Sequence, residues 1–167
     1  MLNLISPLTA RLVHANDKTF LDLLYRDSRT DLLTIPLAPV AMQQMIVMQQ
    51  MSQDRGIRET YPNAQHWLLL WDREEIGRLV IDVNDFEIRL IDIAVISTWR
   101  GKGIATQVVQ ALQDYAIQLG RPISLAVQCN NVDALHVYRR TGFSVRSSDT
   151  LFDQMAWHPA SVDKPLG

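Results

Sequence analysis

Between Ile93 and Ala105 the chain reads IAVISTWRGKGIA, and its hydrophobic period changes within a few residues. An apolar, strand-like run crosses a turn carrying Gly101 and Gly103 and becomes helical spacing at Ile104, Val108, Leu112, Tyr115 and Leu119. That helix, Gly103 to Leu119, is the best marked in the chain, closing at Gly120 with Pro122 just beyond. A strand feeding directly into an amphipathic helix implies a sheet with helices on its faces.

The flanking segments extend this pattern. Leu8 to His14 reads as a first strand; Asn16 reads as the N-cap of a helix whose inner stripe is Phe20, Leu21, Leu23 and Leu24 and which ends near Asp27. Thr34 to Pro39 joins it to a second helix, on which Met42, Met45, Met48 and Met51 form an apolar stripe that reads as core packing or as the lip of an acceptor groove. His66 to Trp71, Ile76 to Asp82 and Glu87 to Val95 read as three consecutive antiparallel strands separated by polar turns. Ile123 to Val127 is a further strand, Asn131 to Thr141 a short helix stopped at Gly142, and Phe143 to Val145 with Leu151 to Trp157 a closing pair of strands. The expected architecture is one α/β domain over residues 1–167 built on a mixed sheet, with residues 158–167 as a tail.

Composition removes whole classes of function. At 167 residues, 47% hydrophobic and 20% charged, the chain has the length and make-up of a single soluble domain. Sixteen Lys and Arg against 18 Asp and Glu leave a net charge of −2, which offers no general field for nucleic acid or an anionic membrane. Cys129 is the only cysteine, and no cysteine and histidine cluster has zinc-ligand spacing, so no metal site is expected. No signal peptide or apolar span is legible, and a cytoplasmic location is expected.

The glycine turn has the outline of an anion site. Unpaired amides at a helix N-terminus carry the positive end of the dipole, Gly101 and Gly103 let a phosphate approach the main chain, and Arg100 and Lys102 bring charge to the same place. A purely steric glycine turn is the alternative. The dinucleotide fingerprint fails at Thr106, and the P-loop spacing is absent.

The segment Arg100, Gly101, Lys102, Gly103, Ile104 and Ala105 resembles the (Gln or Arg)xxGx(Gly or Ala) motif of the GNAT superfamily of acetyl-CoA-dependent N-acetyltransferases. Asn131, Ala134, Tyr138, Gly142 and Phe143 are similar to that family's NxxAxxxYxxxGF signature. The resemblance runs from about Ile76 to Phe143 and is only architectural in the N-terminal helices.

The resemblance implies a mostly antiparallel sheet whose central parallel pair, Glu87 to Val95 and Ile123 to Val127, splays around acetyl-CoA. It implies that the backbone of Ile93, Ala94 and Val95 lies along the pantetheine arm, Ile93 and Val95 pairing with it. Amides from Gly101 through Ile104, Ala105 and Thr106 would hold the pyrophosphate, Asn131 would sit near the pantetheine, and a Val95 amide would polarise the thioester carbonyl.

Asn131 and Tyr138 are seven positions apart and share a helix side. Read alone, Tyr138 is a core aromatic; within the motif it is the proton donor to the departing thiolate, since a phenol titrates near 10 and is protonated at pH 7. The base is open. Arg89 stands where some relatives carry a glutamate; Glu87 falls on the same strand face and is the candidate, whereas a regular strand sends Asp92 to the opposite face. Ala126 stands where ribosomal-protein acetyltransferases carry an acid. Cys129 reads as a small buried hydrophobe at a strand end, a place near the acetyl group being the alternative, and Glu59, Tyr61 and His66 fall just before the second strand, where the resembling family often places acceptor contacts.

The expected function is acetyl transfer from acetyl-CoA to a primary amine, of a small molecule or a peptide, by direct attack in a ternary complex. The rival readings are a CoA-binding sensor without turnover and a structural nucleotide-binding module. The resemblance also allows a homodimer.

Overall fold

The computed structural model describes residues 2–160. Seven strands form one sheet in the order β1-β2-β3-β4-β5-β7-β6: β1 Leu8–Leu12, β2 Gln65–Trp71, β3 Glu74–Val83, β4 Ile88–Val95, β5 Ile123–Gln128, β6 Ser144–Ser148 and β7 Phe152–Trp157. Every neighbouring pair is antiparallel except β4 and β5, the mixed sheet expected from the alternation of strands and helices. The helices are α1 Lys18–Ser28, α2 Pro39–Thr60, α3 Ile104–Leu119 and α4 Val132–Arg140.

Both faces of the sheet are covered near its middle, which explains the near-continuous apolar run HWLLLW of β2. Trp67 and Leu69 point into the larger core with Leu79, Ile81, Ile88 and Leu90, where α3 inserts Ile104, Val108, Val109 and Leu112 and α4 inserts Leu135 and Tyr138. On the other face, Leu68 packs with Phe20 and Leu24 of α1, flanked by Leu70, Ala94 and Ile96.

Several boundaries depart from expectation for local reasons. The first helix does not start on Asn16: a single 3-10 turn, Ala15–Asp17, precedes α1. Asp17 is the anchor, accepting the His14 amide at 2.7 Å and two Arg11 guanidinium bonds at 2.7 and 2.8 Å. The expected loop from Asp72 to Glu75 is a two-residue hairpin in which Asp72 and Arg73 both take positive φ, as a turn matching strand twist requires. The methionine stripe of α2 is not core: Met48 and Met51 are exposed, and Ile46 and Ile57 are the residues it buries. Three-residue steps drift around a helix of 3.6 residues per turn, so such a row cannot stay on one face.

Two irregularities shape the centre of the sheet. β3 bulges at Ile76, where Leu69 pairs with Gly77 but Leu70 with Glu75. A Cβ at Gly77 would collide with the Ala94 carbonyl oxygen, so only glycine lets β4 approach there. β4 bulges at Ile91, because Ile81 pairs with Leu90 while Val80 pairs with Asp92.

Candidate active site

The parallel pair is short. Ile88, Arg89 and Leu90 pair with Ile123, Ser124 and Leu125, after which no ladder joins the two strands although β4 runs on to Val95 and β5 to Gln128. The gap opens into a cleft of about 1190 Å³ lined by β4 from Leu90 to Val95, by Ala126 to Gln128, by the glycine turn, and by Asn131 and Tyr138 of the α4 segment. Alternation fixes which backbone groups face it. Ile96 donates to Ile76 on β3, so Ala94 also pairs toward β3, and the polar groups of Ile93 and Val95 point the other way, into the gap.

The turn between β4 and α3 leaves main-chain amides unpaired at the start of a helix. Gly101 and Gly103 have φ of 71° and 77°, and a Cβ at Gly103 would meet no atom within 4 Å, so this backbone borders open space. Gly103 is the N-cap and supplies no side-chain cap; the first bond of α3 joins the Gln107 amide to the Gly103 carbonyl. The amides of Ile104, Ala105 and Thr106 therefore precede the intrahelical ladder at the positive end of the dipole, and all three residues line the cleft.

The two cations of the turn are used differently from expectation. Arg100 Nε donates to the Val95 carbonyl at 2.8 Å and Nη2 to Asp27 at 3.0 Å. Lys102 Nζ lies 4.6 Å from the Trp99 ring centroid, and Lys102 does not line the cleft. Arg100 lines the cleft with its guanidinium tied to Val95 and Asp27, beside the main-chain amides of the turn.

Tyr138 enters the cleft from α4. Its ring is buried against Phe143, centroids 5.6 Å apart, yet among the described residues the hydroxyl has no hydrogen-bond partner and no side-chain polar atom is both buried and unpaired; the oxygen thus opens onto the cleft. Burial pushes its pKa well above the ordinary phenol value, with the negative charge of Asp92 adding to the shift. Asn131 caps α4, its Oδ1 accepting the Ala134 amide at 3.2 Å, and borders the same cleft as Tyr138.

The carboxylates exchange places relative to expectation. Glu87 precedes β4 in the turn closed by Asn84, at the end of the strand far from Val95, and is not among the cleft-lining residues. Asp92 is in the cleft. The bulge at Ile91 shifts the parity of the strand, so Asp92 shares a face with Arg89 instead of opposing it. Arg78 holds it with bonds of 2.7 and 3.0 Å, and the same guanidinium lies 3.7 Å from Asp54 of α2. The signal for Asp92 in the sequence was its place three residues before Val95; the bulge that aims it was not legible.

On the α1 and α2 side, Leu21, Tyr25, Gln49, Ser52 and Gln53 line the same cleft. A second cavity of about 680 Å³ lies between these helices and contains His66, whose pKa burial and then Arg78 depress. Glu59 and Tyr61 line neither cavity. Cys129 is exposed, its sulfur 3.7 Å from an Asp153 oxygen, and its pKa is raised by desolvation and that carboxylate, which leaves it a poor nucleophile. Among the described residues no group of three or more His, Cys, Asp or Glu forms a metal site, and no helix is long and apolar enough to cross a membrane.

No curated protein matches the sequence. Among solved structures, a PaiA N-acetyltransferase from Thermoplasma acidophilum in complex with coenzyme A superposes with a TM-score of 0.68 at 14% identity, over 91% of this chain and 99% of its own. An acetyltransferase from Salmonella typhimurium that modifies the N-terminal serine of a 50S ribosomal subunit protein gives 0.66 at 18% identity, over 95% and 98%. Naa50 of Arabidopsis thaliana, bound to the bisubstrate analogue CoA-Ac-MVNAL, gives 0.60 at 14% identity, over 91% and 99%. At these identities the likeness speaks for the fold. The family model described as acetyltransferase (GNAT) family matches residues 29–143, more than half of the chain and ending on the Phe143 that closes the second motif. The chain belongs to the GNAT family of acetyltransferases, enzymes that draw their acetyl group from acetyl-CoA.

Proposed function

We propose that the protein transfers the acetyl group of acetyl-CoA to a primary amine by direct attack, with donor and acceptor in the cleft together. The observation that carries this reading is the parting of β4 and β5 after three paired residues, which aims unpaired main-chain groups and one phenol into the same opening. The cleft fits the donor because its anion-facing wall is main chain with open space at Gly103. Amides of Gly101 through Thr106 hold the pyrophosphate, and the polar groups of Ile93 and Val95 pair with the pantetheine arm. Acetyl-CoA supplies a thioester whose C–S bond breaks, its electron pair leaving on sulfur, as the amine nitrogen forms the new C–N bond.

The protein's part is positioning and proton management. The Val95 amide donates to the thioester oxygen as negative charge gathers there, the role in which one donor contributes about 10²- to 10³-fold. The acceptor ammonium loses one proton to water before attack; Tyr138 then donates its proton to the departing sulfur, and the nitrogen gives its second proton to the phenolate as the amide forms. Asp92 faces the same point across the gap, its charge already felt by the phenol, and holds the acceptor as its ammonium before deprotonation. The amine enters between α1, α2 and the sheet, where the lining is polar and carries both signs of charge, Arg29 and Asp31 among them. A peptide N-terminus or a small amine suits that wall better than a polycation.

The test is calorimetry with acetyl-CoA, using ATP and NAD as controls, followed by thiol release from acetyl-CoA against a panel of peptide N-termini, lysine peptides and small amines. Micromolar binding of acetyl-CoA alone with turnover on one acceptor class is expected. Binding without turnover on any amine refutes catalysis, and no binding refutes the donor site.

A further inference from the structure

A three-bond tertiary contact of the glycine turn comes from a residue 70 positions away from Ser97. Asp27, in the last turn of α1, accepts the Ser97 amide at 2.8 Å and the Ser97 hydroxyl at 2.7 Å, and its carboxylate also receives Arg100 Nη2 at 3.0 Å. Arg100 passes the restraint on, since its Nε donates to the Val95 carbonyl. One carboxylate thus caps the 3-10 turn Ser97–Trp99 and orients the arginine that holds the end of β4. Charged hydrogen bonds of this length are among the stronger ones a partly exposed site can make.

The other flank of the turn is held separately. Trp99 packs on Trp71 of the β2–β3 hairpin, centroids 5.3 Å apart, and its Nε1 donates to Glu74 at 3.0 Å. The indole support fixes the outer side of the turn; Asp27 fixes the side nearest Val95. The Arg100 bond also has a chemical consequence for Val95. With its carbonyl accepting from Arg100, Val95 presents the cleft with its amide as a donor, the polarity that a thioester oxygen requires.

Resting on the acetyl-donor reading above, we propose that Asp27 is a positioning residue for the reaction: through Ser97 and Arg100 it holds the Val95 amide and the glycine turn in register with the bound thioester and pyrophosphate. Because Leu21, Leu24, Tyr25 and Ser28 of the same helix line the acceptor side, α1 links the two halves of the cleft.

The test uses the full-length protein and acetyl-CoA labelled with ¹³C at the thioester carbonyl. Calorimetry reads affinity, difference infrared spectroscopy reads the carbonyl stretch of the bound donor, and the melting temperature monitors folding. Wild type should bind with the stretch lowered by the Val95 donor. Asp27→Ala should weaken acetyl-CoA about tenfold and return the stretch toward its value in water, the loss expected when charged hydrogen bonds that hold a site are removed. Asp27→Asn, which keeps one acceptor oxygen for Ser97, should fall between them and serves if the alanine variant does not fold. Asp27→Ala combined with Arg100→Ala should lose little more than either alone, because the two act in one chain. Wild-type affinity and an unchanged carbonyl frequency in folded Asp27→Ala or Asp27→Asn overturn the proposal, as does full additivity in the double variant. Failure of the wild type to bind acetyl-CoA overturns the donor reading instead.

Discussion

Replacing Tyr138 with phenylalanine separates packing from chemistry at this site. The ring supplies the packing: it is buried beside Leu135 and Phe143, and phenylalanine keeps its volume and the 5.6 Å ring contact. The hydroxyl makes no hydrogen bond to any described residue, so its removal strands no partner among them and opens no enclosed cavity. The expected change in folding stability is within about 0.5 kcal/mol, as for a substitution that removes no named interaction. Acetyl-CoA affinity should likewise hold, because the main chain of the turn and of β4 carries the binding contacts. What is lost is the proton delivered to the leaving sulfur, a contribution of about 10²-fold in kcat, or about 2.7 kcal/mol of barrier. Thiol release at saturating acetyl-CoA and acceptor measures it, with calorimetry and a melting curve on the same preparation.

The pH dependence makes the prediction stricter. Burial raises the phenol pKa above its ordinary value near 10, so the protonated form that donates is present throughout the range from about 6 to 9. The ratio of wild-type to variant kcat should therefore be flat across that range, and any alkaline limb below pH 9 belongs to another group. A variant with full kcat removes Tyr138 from the mechanism. A ratio that collapses between pH 7 and 9 contradicts the protonated-phenol account.

Gly103→Glu should abolish acetyl-CoA binding in calorimetry while the protein stays folded; its left-handed φ of 77° costs about 1–2 kcal/mol for a residue with a Cβ, and the new carboxylate faces the space assigned to the pyrophosphate. Gly77→Ala should lower stability by about 1–3 kcal/mol in denaturant titration and weaken acetyl-CoA, because the added Cβ meets the Ala94 carbonyl beside Val95. Asp92→Asn should lower kcat/KM for the amine about tenfold or more in the thiol-release assay with little change in acetyl-CoA affinity. Arg11→Met should destabilise by about 1–2 kcal/mol at pH 7 in thermal melts, since it leaves buried Asp17 with its amide bond alone; the figure is reduced for the partial exposure of Arg11. Arg11 and the His14 amide hold the Asp17 pKa far below the usual carboxylate value, so its contribution is complete above about pH 4 and fades as pH falls toward the depressed value; the gap between wild type and Arg11→Met should narrow in strong acid.

The donor half of the cleft was legible in the sequence because its determinants are local. A strand, two glycines with positive φ, and a helix within some 30 residues define the proposed anion site from backbone physics, and α3 runs from Ile104 to Leu119 as the spacing of Ile104, Val108 and Leu112 indicates. The closing glycine behaves in the same way: Gly120 is left-handed, and its amide returns to Ala116 and Ile117. Asn131 and Tyr138 share a short helix, so their relation is again a matter of a few turns.

Determinants that act across the sheet were not legible. Strand parity places Glu87 with Arg89 and sets Asp92 opposite only while β4 stays regular; the extra residue at Ile91 reverses that, and nothing in IRLIDIAV announces it. A bulge is a property of the pair, here of β4 against Ile81 and Val80, and a single strand does not carry the information. Arg100 shows the same limit for charge. Beside two glycines it reads as a phosphate ligand, but its partners are a carbonyl five residues back and a carboxylate on α1, and those bonds turn its guanidinium to holding the turn together. The chemistry of this cleft therefore divides by range: short-range sequence makes the turn and helix start proposed to hold acetyl-CoA, while long-range pairing through Asp27, Arg78 and the Ile91 bulge decides which carboxylates and which main-chain donors meet there.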